Sequence, residues 1–260
     1  MKKLLKYILA LIITLSLVHL TKDIIDFTKE IIILKDHQFK AKTREERMMR
    51  PTVKITSIIM TASPDTGVAG YITLSAATGF SIKYDIQNNK SLIITNDHFC
   101  RTNISEVTFI IEDYSKSSFE SKRSYLDGEI VLTEPSLDLC LIKADGYIRP
   151  AILANYDYTP RAFEEIFVIG SPSGNFPIIF DSYISNVISR KEVALGPMSS
   201  EGNSFLLISE QVFPGHSGSP VFTKDGEVIG IIFGALKSYG GLAISVKDIY
   251  KMLELAAAKE

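Results

Sequence analysis

The heptapeptide Pro214-Gly215-His216-Ser217-Gly218-Ser219-Pro220, running on into Val221-Phe222, sets a serine among residues that can make it react. Gly215 and Gly218 flank Ser217 at close spacing and admit backbone conformations and approaches that a Cβ would block. Such a turn can aim the N–H groups of Gly215 and Ser217 at one point, which is what stabilising an oxyanion requires. The same glycines also suit a plain hairpin turn, so the motif alone leaves both readings open. Ser219 is the nearest rival hydroxyl, but the Gly-x-Ser-Gly spacing puts Ser217 at the turn.

A serine hydroxyl attacks well only when a base takes its proton. Two upstream stretches supply a base and its partner. Ser91-Leu92-Ile93-Ile94-Thr95-Asn96-Asp97-His98-Phe99-Cys100 is an apolar strand signal that runs into His98. Ser136-Leu137-Asp138-Leu139-Cys140-Leu141-Ile142 puts Asp138 directly before another. His98 then reads as general base and later acid, and Asp138 as the carboxylate that holds its tautomer and balances its charge. The reaction such a set supports is acyl transfer to water through an acyl-enzyme. His216 adjoins the nucleophile, and an immediate neighbour points elsewhere along the chain. Asp113, Asp127 and Asp145 compete with Asp138, but none precedes so clean an apolar run.

The order His98, Asp138, Ser217 is that of chymotrypsin, and differs from the orders in subtilisin and the α/β-hydrolases. Further motifs follow in family order. Ala77-Thr78-Gly79-Phe80-Ser81-Ile82 resembles the strand before the histidine. Ile166 to Gly174 resembles the strand and Gly-rich turn that open a second barrel, and Gly226-Glu227-Val228-Ile229-Gly230-Ile231 the hairpin strand after the nucleophile. From about residue 52 to 250 the chain resembles a trypsin-like serine protease, closest to the HtrA-like branch without its PDZ domain. That resemblance implies an all-β fold of two six-stranded antiparallel barrels, with the triad at their interface. It makes Gly215 and Ser217 the oxyanion donors, Gln211 and Val212 the floor of the S1 pocket, and Phe233 and Gly234 part of its wall. With no acid on that floor, small or medium apolar side chains are expected at the cleaved residue. His216 stands where the HtrA-like branch usually has asparagine. Activity is expected to be intrinsic or governed by loop ordering, for example of residues 196–203.

The strands that must position these groups can be read directly. Short β-rich runs at 53–60, 70–75, 79–85, 91–95, 107–111, 129–133 and 139–143 precede a second set from near 167: 178–184, 205–209, 220–223, 228–233 and 243–246. Asp225-Gly226 is a hairpin signal within that set. Residues 147–161 read as the crossover. Ser245 and Asp248 open a C-terminal helix with Ile249, Met252 and Leu253 on one face.

The first fifty residues differ in kind. Lys2, Lys3 and Lys6 precede an apolar run from Tyr7 to Leu20, a positive n-region and short h-region. Residues 1–21 therefore read as an uncleaved signal-anchor helix, with a cleaved signal peptide as the alternative. Residues 22–50 follow as an amphipathic helix and a charged linker, and 51–260 as the protease domain. The domain is then extracytoplasmic, membrane-anchored or secreted. Partners are protein or peptide substrates, and the membrane through the N-terminal helix.

A net charge of −2 over 260 residues gives no reason to expect a nucleic-acid partner. Four scattered histidines give no metal cluster, and no cofactor motif is present. Cys100 and Cys140 each stand two residues beyond a proposed triad member; the reading taken is two buried thiols, a disulfide being open in an oxidising compartment. Two other classes stay in view: a catalytically inactive protease-fold binding or scaffolding module, and an adaptor whose essential part is its anchor.

Overall fold

A computed structural model describes residues 43–62, 69–101, 107–113, 124–189, 204–236 and 239–259. The expected anchor, the amphipathic helix, most of the charged linker and the loop 196–203 lie outside the described residues. Apart from residues 86–88, the described residues belong to one compact unit. Among them, no helix is long and apolar enough to cross a membrane.

The unit opens with a short helix, α1 (Arg44–Met49), whose first turn is capped by Thr43 Oγ1 accepting the Glu46 N–H. Six antiparallel strands follow: β1 (Thr52–Ala62), β2 (Ala69–Asp85), β3 (Lys90–Thr95), β4 (Thr108–Asp113), β5 (Ser124–Glu134) and β6 (Leu139–Asp145). They close in the order β1-β2-β3-β6-β5-β4. The runs at 70–75 and 79–85 are one continuous strand, in which Leu74 is the extra residue of a bulge: Ser57 pairs with Ser75 and Ile58 with Thr73.

The second barrel is β8 (Glu165–Gly170), β9 (Ile178–Ser189), β10 (Ser204–Ile208), β11 (Pro220–Thr223), β12 (Glu227–Leu236) and β13 (Gly240–Ser245). Its order is β11-β8-β9-β10-β13-β12, closed by β11–β12 pairing. The two-residue β7 (Ile152–Leu153), within the crossover, adds to β12 in parallel. Two six-stranded antiparallel barrels are therefore present as expected. A helix, α2 (Asp97–Cys100), follows β3, and α3 (Val246–Ala257) ends the described chain with Ile249 and Met252 buried.

Successive residues of a strand face opposite ways, and here both faces of the central strands are covered. On β3, Ile93 lies inside the first barrel and Ile94 in the layer between barrels. On β6, Cys140 and Ile142 go inward while Leu139 and Leu141 join the same layer. That layer meets Ile169, Phe222, Ile231 and Ile244 of the second barrel. Strands buried on both faces read as continuous apolar runs, and these are the strands whose ends carry His98 and Asp138.

Residues 44–50 are not a solvated linker. Met48 is buried in the inter-barrel core, Thr52 Oγ1 donates to its carbonyl (2.7 Å), and an Arg47 guanidinium N–H donates to the Asp225 carbonyl (2.9 Å). Met48→Ala is therefore expected to lower unfolding free energy by about 2–5 kcal/mol. Urea denaturation of the full chain checks this. No change would mean that α1 is merely laid on the surface.

Candidate active site

Thr95, the last residue of β3, pairs with Cys140 near the start of β6. The chain beyond β3 and the chain before β6 thus leave the barrel side by side. Beyond β3 come Asn96 and α2, carrying His98. Before β6 stands the turn that ends in Asp138, a residue with φ +53°. Asp138 is buried, and its Oδ1 accepts the His98 backbone N–H (2.8 Å) while Oδ2 meets His98 Nδ1 (2.8 Å). Asn96 Nδ2 donates to the Asp138 carbonyl (3.1 Å).

His98 Nε2 lies 3.0 Å from Ser217 Oγ. With the carboxylate accepting from Nδ1–H, Nε2 is left as the acceptor for the serine hydroxyl, the arrangement a general base requires. His98, Asp138 and Ser217 are thus brought into one continuous hydrogen-bonded chain.

The turn carrying Ser217 is bound to the first barrel. Gly215 (φ +98°) and Gly218 (φ +85°) both occupy the left-handed region. A Cβ on Gly218 would overlap the Thr78 carbonyl oxygen, and one on Gly215 the Ser171 carbonyl oxygen. The Thr78 N–H donates to the Ser217 carbonyl (2.8 Å), and the Gly218 N–H to the Ile232 carbonyl (2.8 Å). Gly215 N–H and Ser217 N–H donate to no group among the described residues. They remain available for an oxyanion.

Sequence reasoning passed over Thr78 and Ser171 as site residues. Thr78 Oγ1 accepts the Ser171 N–H (2.9 Å) and donates to the Gly215 carbonyl (2.9 Å), with Ser171 Oγ 3.1 Å from the same carbonyl. Two buried hydroxyls thereby fix the peptide that follows Gly215. Their signal was present: each is the polar residue inside a motif, Ala77-Thr78-Gly79 and Gly170-Ser171-Pro172.

The four proposed pocket residues are placed differently. Val212 Cγ2 occupies the space a side chain on Gly241 would need, and Gly241 pairs with Ala235, the neighbour of Gly234. Val212 and Gly234 are thus brought to one neighbourhood. Gln211 is exposed. The Phe233 ring packs on Phe205, with centroids 4.8 Å apart.

His216 is buried and takes no part in the hydrogen-bonded chain of Asp138, His98 and Ser217. Its Nδ1 accepts the Phe213 N–H (2.8 Å), and its ring meets the Phe180 ring at an angle. The proton of the neutral ring therefore sits on Nε2. Burial lowers its affinity for a second proton below that of an ordinary histidine, against a smaller opposing effect of the Phe213 hydrogen bond. The unfolded chain binds that proton more tightly. The stability His216 contributes is thus complete above about pH 6.5 and is lost as pH falls through the lowered folded value. Urea denaturation of the wild type is expected to show a loss of stability between about pH 7.5 and 5.5 that His216→Asn flattens; an unaltered slope would overturn that assignment.

The cysteines depart from expectation: Cys100 and Cys140 form a disulfide, with Cα atoms 6.5 Å apart. The neighbouring β3 and β6 bring the two segments within bridging distance, a tertiary fact that spacing in sequence does not carry.

Two packed β-barrels, with a histidine and an aspartate from one and a glycine-flanked serine from the other, define the chymotrypsin-like class. Residues 77–231 match the family described as Trypsin-like peptidase domain, and the chain belongs to that family. A "Probable periplasmic serine endoprotease DegP-like" of Pseudomonas putida is 28% identical over 176 residues, covering 66% of this chain and 32% of that protein. One of the same description from Brucella suis is 24% identical over 172 residues, covering 65% of this chain and 29% of its own length. The chain thus spans about a third of the length of the curated relatives it matches. Among solved structures, the HtrA-type protease AlgW with tripeptide superposes with a TM-score of 0.61 at 18% identity, over 81% of this chain and 61% of that one. The serine endoprotease from Yersinia pestis gives 0.60 at 18% identity, over 82% and 65%. Those two likenesses bear on the fold.

Proposed function

We propose that the chain is a serine endopeptidase acting through an acyl-enzyme, with Ser217 as nucleophile, His98 as general base and acid, and Asp138 as the partner of His98. The observation that carries this reading is the unbroken hydrogen-bonded chain from Asp138 Oδ2 through His98 to Ser217 Oγ. Ser217 Oγ attacks the substrate carbonyl carbon as its proton passes to His98 Nε2. Asp138 stabilises the imidazolium, and the Gly215 and Ser217 N–H groups hold the oxyanion. Collapse of the tetrahedral species breaks the C–N bond, His98 returns the proton to the leaving amine, and water repeats the sequence on the ester.

Substrates are proteins or peptides, as the names of the relatives suggest. Val212 and Gly234 line the pocket for the residue whose carbonyl is cut, with Gln211 at its exposed edge, and small or medium apolar side chains are favoured there. The domain works outside the cytoplasm. Relatives named as periplasmic support this, and so does a disulfide, which persists in oxidising compartments. Residues 1–21 hold it at the membrane.

The test is digestion of unfolded casein by the full chain, with mass spectrometry of the new termini. Cleavage after Val, Ala or Leu, absent with Ser217→Ala, is the expected result. Intact casein under conditions where the chain is folded would overturn the reading.

A further inference from the structure

The segment that carries His98 has little regular structure of its own. The helix α2 is a single turn of four residues, far below the length at which a helix stands alone. The His98 side chain is 42% exposed, so its ring is only partly covered by packed atoms. Phe99 anchors one side of the turn, edge-on to Phe109. Asn96, Asp97 and Cys100 are buried beside it, and a ladder of ties runs to the start of β6. Asn96 Nδ2 reaches the Asp138 carbonyl, the His98 N–H reaches Asp138 Oδ1, and Cys100 is bonded to Cys140. Every second residue of one segment is thus tied to residue 138 or 140 of the other. Only the last tie is covalent.

We propose that the Cys100–Cys140 disulfide is a positioning element for the His98–Asp138 pair, so that turnover is conditional on oxidation of these two cysteines. The inference rests on the endopeptidase reading above. With the bond intact, α2 is held at both ends and Nε2 stays within hydrogen-bonding reach of Ser217 Oγ. With the bond broken, α2 keeps its buried Asp97 and Phe99 and three hydrogen bonds to Asp138, but no covalent tie beside a half-exposed ring. Substrate binding is left intact, because the proposed pocket lies on the second barrel. Reduction by a dithiol breaks the Sγ–Sγ bond with two electrons and two protons, giving two thiols and the cyclic disulfide of the reductant. Oxidised glutathione reverses it through a mixed disulfide. Cys100 and Cys140 are both buried, so exchange requires α2 to lift first, and reduction is slow.

The experiment compares the full chain oxidised, reduced with excess dithiothreitol until two thiols titrate, and as Cys100→Ala/Cys140→Ala. Each is followed by fluorophosphonate acylation across reagent concentrations and by hydrolysis of a fluorogenic peptide, with circular dichroism to report folding. The expected result is a fall of roughly 10²-fold in maximal acylation rate and kcat, the cost of misplacing a catalytic group by about 1 Å. KM and folding are expected to be unchanged. Oxidised glutathione restores the reduced wild type and leaves the double variant slow. Equal rates in folded oxidised and disulfide-free protein overturn the proposal alone, as does a change confined to KM. A chain that unfolds as a whole on losing the bond also overturns it, because the bond is then a general staple. An unreactive oxidised wild type overturns the endopeptidase reading, and this proposal falls with it.

Discussion

His98→Ala and Ser217→Ala each lower turnover by roughly 10⁶-fold, and the double variant loses no more than either alone. The reason lies in the shared proton. Ser217 Oγ becomes a nucleophile only as His98 Nε2, 3.0 Å away, takes its hydrogen, so removing either atom stops the same step. The activity that remains is what binding and the N–H groups of Gly215 and Ser217 supply without a nucleophile. Steady-state hydrolysis of one fluorogenic peptide by the three variants checks this. Losses that multiply in the double variant would show that the two side chains act in separate steps.

Gly218→Ala has the second largest effect, and it acts on stability and turnover together. Residue 218 has φ +85°, which costs a residue with a side chain about 1–2 kcal/mol. Its new Cβ would overlap the Thr78 carbonyl oxygen, which Thr95 Oγ1 holds with a 2.7 Å hydrogen bond. Neither partner is the free end of a flexible chain, so the turn itself must move. A crowding cost of about 1–3 kcal/mol is expected besides. Since the Ser217 carbonyl is bonded to the Thr78 N–H, moving the turn off β2 moves Ser217 from His98. A displacement of about 1 Å lowers kcat by roughly 10²-fold. Thermal unfolding and peptide hydrolysis on one preparation test both halves. A variant as stable and active as wild type would mean that the close approach at Thr78 is not a constraint.

Some of this was legible in the residues, for a physical reason. The runs that lead to His98 and away from Asp138 stand out because β3 and β6 are buried on both faces, which makes them continuously apolar. Ser217 stands out because its turn needs left-handed backbone on both sides, and glycine answers that need at 215 and 218. What stayed hidden depends on the third dimension. The pairing of Cys100 with Cys140 follows from the register of β3 against β6. The docking of α1 follows from where Met48 lands, and six residues rich in Arg and Glu show no apolar period. The face that Phe233 takes lies beside a register irregularity in β12 between Ile232 and Gly234, which no local pattern announces. Thr78 and Ser171 sat inside recognisable motifs, but their common target, the Gly215 carbonyl, lies 137 and 44 residues further along the chain.

The central claim is that His98 and Ser217 form a working nucleophile. Fluorophosphonate labelling of the folded, oxidised full chain, with the adduct mapped by peptide mass spectrometry, tests it most directly. One adduct on Ser217, absent from both Ser217→Ala and His98→Ala, is the predicted result. A folded wild type that takes no label, or one labelled at Ser219 or equally well without His98, would contradict it.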